Sequence, residues 1–407
     1  MTTLIGPFEQ AITFKSAPIS GPLQQTDLGL IEHAGILCAD GKILKVGSFD
    51  DLQDEGDEHI ETKGKQVVVP GFVDCHTHML WGGTRAGDFE RRNSGYSYQQ
   101  ILDEGGGIHD SVSKTRSATD DELIDGLSRR LLRHLADGVT TVEVKTGYGL
   151  SPEHELRFLR LIQEVGLYCK PDVISTFLGA HVCPAEYEKK AYLDHLIDGV
   201  FPVIKADNLT KRVDAFVEEE AFPVEIIKQY LQRAQKDGFD LTLHAGQFSP
   251  GGVSLAVALG AKSADHLESI GNHEVELLAK SKTVAVALPG ASIGLGMAFT
   301  PARQLLDAGA SLAIATDWNP GSAPMGDLLV QASVLATYEK LSGAEVLGGI
   351  TFRAANALGL SDRGRLSSGQ LADLAIFDTA DYREILYHQG RLKPAQVYKR
   401  GKHVSNS

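Results

Sequence analysis

The sequence predicts an α/β protein, a (β/α)8 TIM-like barrel with a small β-sandwich domain built from the N- and C-terminal segments. Three observations point there. Eight short apolar runs, at 67–73, 139–144, 173–179, 213–217, 240–244, 263–266, 283–288 and 311–316, alternate with helical stretches. Near-continuous apolar strands separated by helices indicate a parallel sheet covered on its faces. The alternation spans about 290 residues, the size of a closed eight-stranded barrel. Both chain ends instead read as short strands and turns, and termini often lie close in space. A doubly wound open sheet is the alternative, weakened because no Gly-rich dinucleotide loop follows the first strand.

From the start of the chain, the runs 35–40 and 41–47 flank Asp40-Gly41, a hairpin signal. Helices are expected at 119–137, 152–165, 223–237, 252–260 and 302–309. The first has Thr119 as N-cap, an acidic first turn and Gly138 at its end. Strands are expected again at 371–378 and 397–404. The small domain is placed at 1–65 plus 362–407 and the barrel at 66–361.

Composition narrows the function. The chain has 407 residues with 39 Lys+Arg against 53 Asp+Glu, a net charge of −14. So acidic a surface repels phosphate backbones and anionic lipid, which argues against nucleic acid and membrane partners. Mean hydropathy is −0.10, and no run of about 18 apolar residues reads as a membrane span. The first residues show no basic patch followed by an apolar stretch, so no signal peptide is expected. Cys38, Cys75, Cys169 and Cys183 are scattered, which fits a reducing cytoplasm.

Metal-ligating residue types gather at strand ends. His76 and His78 close the first barrel strand, where residues i and i+2 point to one face. His244 ends the fifth strand, His266 the sixth, and Asp317 the eighth. Barrel active sites lie at that end. Imidazole plus carboxylate ligation suits zinc, iron or manganese.

The segment Pro70-Gly-Phe-Val-Asp-Cys-His-Thr-His78 resembles the first-strand signature of the metal-dependent amidohydrolase superfamily. Four further segments, with the Trp81-Gly-Gly-Thr-Arg85 loop, resemble the imidazolonepropionase family: Gly105-Gly-Gly-Ile108, 140–150 with its Thr-Gly-Tyr-Gly-Leu, Ala264-Asp-His-Leu-Glu268 and Ala315-Thr-Asp-Trp-Asn-Pro-Gly-Ser322. The resemblance covers the chain from about residue 30 onward.

It implies hydrolytic opening of 4-imidazolone-5-propanoate to N-formimidoyl-L-glutamate, a step of histidine degradation. It implies one divalent or trivalent ion, zinc or iron, held by His76, His78, His244 and Asp317. Two-metal relatives carry a lysine at the end of strand four; here that strand reads Asp214-Ala-Phe-Val-Glu218. Lys145 ends strand two instead, either supporting the site or satisfying rim carboxylates such as Glu143 or Glu218. Asp317 would take a proton from the attacking water, and His266 would hold that water or polarise the ring carbonyl. Gln247 stands where related deaminases carry a proton-shuttling Glu; an amide cannot shuttle protons, so it would hydrogen-bond the ring. Arg85 would clamp the propionate, unless it merely pairs with Asp88 or Glu90. Tyr148, His181, Asn319, Gly321 and Ser322 match substrate-contact positions, and Trp81 and Tyr98 are aromatic candidates for the pocket wall or the core. A homodimer is the family expectation.

Overall fold

The computed structural model describes residues 1–97, 100–101 and 104–406. Strands β1 (Thr3–Ala11), β2 (Ile31–Ala39), β3 (Lys42–Ser48), β4 (Glu58–Glu61) and β5 (Val67–Pro70) come first. They are followed by β6 (Phe72–Asp74), β7 (Val139–Lys145), β8 (Asp172–Ala180), β9 (Arg212–Val217), β10 (Asp240–Ala245), β11 (Ser263–His266), β12 (Val284–Ala287) and β13 (Leu312–Ile314). The chain ends with β14 (Leu374–Phe377), β15 (Gln396–Lys399) and β16 (Lys402–Asn406).

β6 to β13 form one parallel sheet in sequence order. Past β6 the chain stays extended and meets the far edge. Asp317 donates its N–H to His76 O (3.0 Å), His78 donates to Trp318 O (3.0 Å), and Thr77 bridges Trp318 in parallel. The eight-stranded barrel is thereby closed where the candidate ligands sit. The other sheet runs β16-β15-β14-β5-β1-β2-β3, with β4 on β1, and so joins both chain ends.

Helices cover the barrel for local reasons. The helix Asp120–Ala136 starts where Thr119 and Glu122 exchange capping bonds, worth about 1 kcal/mol. Leu123, Leu127, Leu131 and Leu135 recur at fourfold spacing on its buried face. Ser151 caps Pro152–Tyr168, with Pro152 in its first turn. No helix among the described residues is long and apolar enough to cross a membrane.

Two strand expectations need correction. The run 67–73 divides: β5 pairs with β1 and β14 in the small sheet, and only β6 enters the barrel. Both halves are buried, so hydropathy shows no break, and Pro70-Gly71 is its one mark. The run 397–404 is likewise two strands, β15 and β16, paired antiparallel around Arg400 and Gly401, which both turn with positive φ.

Candidate active site

The side chains singled out in the sequence converge at the C-terminal end of the barrel. His76 and His78 leave β6 on the extended segment that closes the barrel; His244 lies in β10, His266 ends β11, and Asp317 follows β13. The backbone there is unusual. His266, Leu267 and Asp317 have φ of +90°, +71° and +51°, a region non-glycine residues occupy only when surroundings enforce it.

Asp317 Oδ1 lies 3.5 Å from His76 Nε2 and 3.4 Å from His78 Nε2. His78 Nε2 lies 3.3 Å from His244 Nε2. Ligand atoms of His76, His78 and Asp317 all fall within 4.8 Å of one another, as do those of His76, His244 and His266. Every one of these residues is buried. His76 Nε2 has no hydrogen-bond partner among the described residues, an expensive condition for a buried polar atom. Spacings of 3.3 to 3.5 Å between donor atoms suit ligands about 2.0–2.1 Å from a shared tetrahedral ion. The donor set therefore fits one metal ion.

The electrostatics agree. Burial, then Lys145 and the neighbouring imidazoles, push His76 well below the ordinary histidine range. Burial lowers His244 to about 4, despite the opposing pull of Asp214. Neutral imidazole is the ligating form. His266 is the exception: burial opposes its protonation, but Glu268, 3.5 Å from its Nδ1, prevails and raises it. Burial likewise pushes Asp317 up, while His78, then His266 and His244, hold it below the usual carboxylate range.

Beneath the ligands lie carboxylates that the sequence alone does not single out. Asp265 Oδ2 is 2.7 Å from His76 Nδ1, and Asp214 Oδ2 is 2.9 Å from His244 Nδ1. A carboxylate on Nδ1 fixes the ring and leaves Nε2 to the metal. Their only signal in the sequence is an acid within an apolar strand. Lys145 pairs with Glu143 and Asp214. Glu218, the other rim partner considered for it, is engaged elsewhere: it accepts the N–H groups of Gln247, Phe248 and Ser249 and the Ser249 hydroxyl. That carboxylate fixes the loop presenting Gln247, whose carbonyl also accepts the Ser269 hydroxyl.

The loops bring the remaining candidates around this centre. Arg85 makes the pairing with Asp88 that one reading of it expected. Its Nε donates to buried Asp88 (2.8 Å), while Nη1 faces Gly321, where a Cβ would stand only 2.3 Å away. Asn319 braces the same loop: its amide donates to Asp317 O and Ser322 Oγ and accepts from the Gly321 and Ser322 N–H groups. His181 stacks on His78 with ring centroids 5.4 Å apart, and Tyr148 lies 6.0 Å from His78. His181 Nδ1 bonds Gly147 O (3.0 Å), and burial lowers its pKa to about 3. Gly147 has φ +118°, and any Cβ there would sit 2.8 Å from that ring nitrogen. Glu155, which carries no mark in the sequence, accepts the N–H groups of Gly147, Gly149 and Leu150 and so sets the Tyr148 loop. Trp81 belongs to the core, under the Arg130 guanidinium 3.3 Å from its ring centroid. Tyr98 lies outside the described residues.

Comparison with known proteins gives a consistent result. The Amidohydrolase family matches residues 67–404. The imidazolonepropionase of Rubrobacter xylanophilus is 43% identical over 411 residues, covering 98% of each chain. That of Bdellovibrio bacteriovorus is 39% identical over 391 residues, covering 94% of this chain and 91% of its own. A triazine hydrolase variant shares the fold with a TM-score of 0.78 at 18% identity, over 100% of this chain and 95% of its own. Atrazine chlorohydrolase TrzN from Arthrobacter aurescens TC1, complexed with zinc, does so with a TM-score of 0.72 at 18% identity, over 99% and 95%. At those identities the two structures speak to fold alone.

Proposed function

The chain belongs to the amidohydrolase family and, within it, to the imidazolonepropionases, and from that membership we propose how its residues divide the work. It is a hydrolase of cyclic amides, opening 4-imidazolone-5-propanoate to N-formimidoyl-L-glutamate. The observation that carries the division of roles is the buried His76 Nε2, without a hydrogen-bond partner among the described residues, beside Asp317, His78 and His244.

His76, His78, His244 and Asp317 would hold one ion, zinc or iron. Bound there, such an ion polarises a carbonyl and acidifies water from about 15.7 toward about 7. Arg85, anchored by Asp88 through Nε, binds the propionate carboxylate through the guanidinium edge that faces Gly321. Tyr148 and His181 wall the ring, and Gln247 hydrogen-bonds its polar edge. Gly321 leaves room for Arg85, and Ser322 lies beside Asp317.

His266, held by Glu268, faces the ring carbonyl and stabilises charge developing on its oxygen. Asp317 Oδ1 faces His76 and His78, whereas Oδ2 faces Ser322 Oγ at 3.5 Å. Oδ2 is thus the atom that accepts the proton of the attacking water. The water oxygen bonds to the carbonyl carbon, the ring C–N bond breaks, and the proton passes to the departing nitrogen.

The substrate is a small molecule, and the net charge of −14 opposes nucleic acid or anionic membrane partners. The four free cysteines support a cytoplasmic setting; a homodimer rests on the family resemblance. Metal analysis of the purified protein, combined with His78→Ala and Asp317→Ala, tests the assignment. Each variant should lose the ion or lose turnover by orders of magnitude.

A further inference from the structure

Lys145 ends β7 and is fully buried, and among the described residues its ammonium pairs with carboxylates alone. Its Nζ lies 2.9 Å from Glu143, 2.9 Å from Asp214 Oδ2 and 3.8 Å from Asp265 Oδ2. Each of those aspartate oxygens is shared with a ligand histidine: Asp214 Oδ2 with His244 Nδ1 at 2.9 Å, Asp265 Oδ2 with His76 Nδ1 at 2.7 Å. One ammonium therefore stands between two carboxylates that repel strongly in a low-dielectric interior. Other bonds complete their geometry. Asp214 Oδ1 accepts the Ala215 and His244 N–H groups, and Asp265 Oδ2 accepts the Thr242 hydroxyl. The Lys145 backbone N–H donates to Thr77 O (2.9 Å), the residue between His76 and His78. Lys145 thus touches the supports of three ligands at once.

We propose that Lys145 is a positioning residue of the metal centre: it binds Asp214 and Asp265 together, so that they hold His244 and His76 by Nδ1 with both Nε2 atoms turned to the ion. The inference rests on the reading of His76, His78, His244 and Asp317 as ligands. A buried lysine serving only the fold is replaceable by an apolar residue of its size at little cost when its partner charge goes too. A lysine that pre-orients ligands is not, because loss of a supporting group typically weakens metal binding about 10–100-fold.

The test is the zinc affinity of full-length apo protein, read in competition with a chromophoric chelator, alongside circular dichroism of the apo form. Folded Lys145→Met should bind zinc about 10–100-fold more weakly than wild type and show an altered visible spectrum when loaded with cobalt(II). Lys145→Arg, which keeps the charge, should recover part of the affinity. Affinity of folded Lys145→Met within twofold of wild type overturns the proposal. If Lys145→Met does not fold, Lys145→Met/Glu143→Gln carries the test with the same two outcomes. It removes one carboxylate with the cation and leaves both histidine supports. Failure of both to fold overturns the proposal, since the lysine is then a folding residue. Wild-type protein that takes up no zinc overturns the ligand reading with it; normal wild-type binding with an unaffected variant overturns this proposal alone.

Discussion

The Arg85 guanidinium lies against Gly321, close enough that a Cβ at that glycine would stand 2.3 Å from Nη1. The first and eighth loops of the barrel thus meet over the candidate site, and Asp88 fixes the arginine from behind. On the proposed reading, this contact sets where the propionate binds. Arg85→Ala should raise KM and lower kcat/KM by about 2–5 kcal/mol, as when a buried charge pair loses one partner. Arg85→Lys keeps the charge without the fork and should remain clearly impaired. An imidazolone lacking the carboxylate should be a poor wild-type substrate and nearly insensitive to Arg85→Ala. Steady-state kinetics of this double cycle check it; full additivity would remove Arg85 from the carboxylate.

Gln247 offers an amide on a loop fixed by Glu218. Gln247→Ala should lose about 1–3 kcal/mol of substrate binding through an unpaired ring group. Gln247→Glu should be tolerated, because the amide hydrogen-bonds and does not shuttle protons. Wild-type KM and kcat in Gln247→Ala would place the ring elsewhere.

Metal removal should also be visible in stability. His76 Nε2 is buried without a hydrogen-bond partner among the described residues. Loading at a hundredfold excess over Kd should add about 2.7 kcal/mol by mass action, seen as a higher Tm that a chelator reverses. About one ion per chain should copurify. Two ions per chain at full occupancy would contradict the one-metal reading.

At the opposite end of the barrel, Asp172 on β8 joins the C-terminal segment through Lys399, Arg363 and Arg400. Burial pushes its pKa up, but Lys399, then Arg363 and Arg400, hold it below the usual carboxylate range. A carboxyl lowered by folding stabilises above its unfolded pKa, near 3.9, and loses that contribution as pH falls through the folded value. Asp172→Asn should therefore cost roughly 1–3 kcal/mol near neutrality, with the difference from wild type closing toward low pH. Denaturant titrations at several pH values read this directly; a difference independent of pH would discount the ion pairs.

The ends of the barrel strands are legible in the sequence because His244, His266 and Asp317 interrupt apolar runs where such runs stop. Other features have no one-dimensional mark. Asp214 and Asp265 are visible as acids, but only the barrel's closure brings them under His244 and His76. Glu155 lies on the helix after the Thr146–Leu150 turn, and nothing in its spacing says that its carboxylate folds back to bind that turn. The helix Leu328–Glu339 is hidden because apolar residues surround it and no amphipathic period shows. The break at Gly71 is hidden because both sheets bury their strands.

The most direct measurement of the central claim is turnover of enzymatically generated 4-imidazolone-5-propanoate by purified protein, before chelation, after it, and after metal is restored. Loss of the substrate's ultraviolet absorbance and appearance of N-formimidoyl-L-glutamate by mass spectrometry are followed together. The expected result is rapid conversion by the metal-loaded protein, loss on chelation, and recovery with stoichiometric ion. Undiminished conversion by metal-free protein, or none by the protein carrying one ion per chain, would contradict the account.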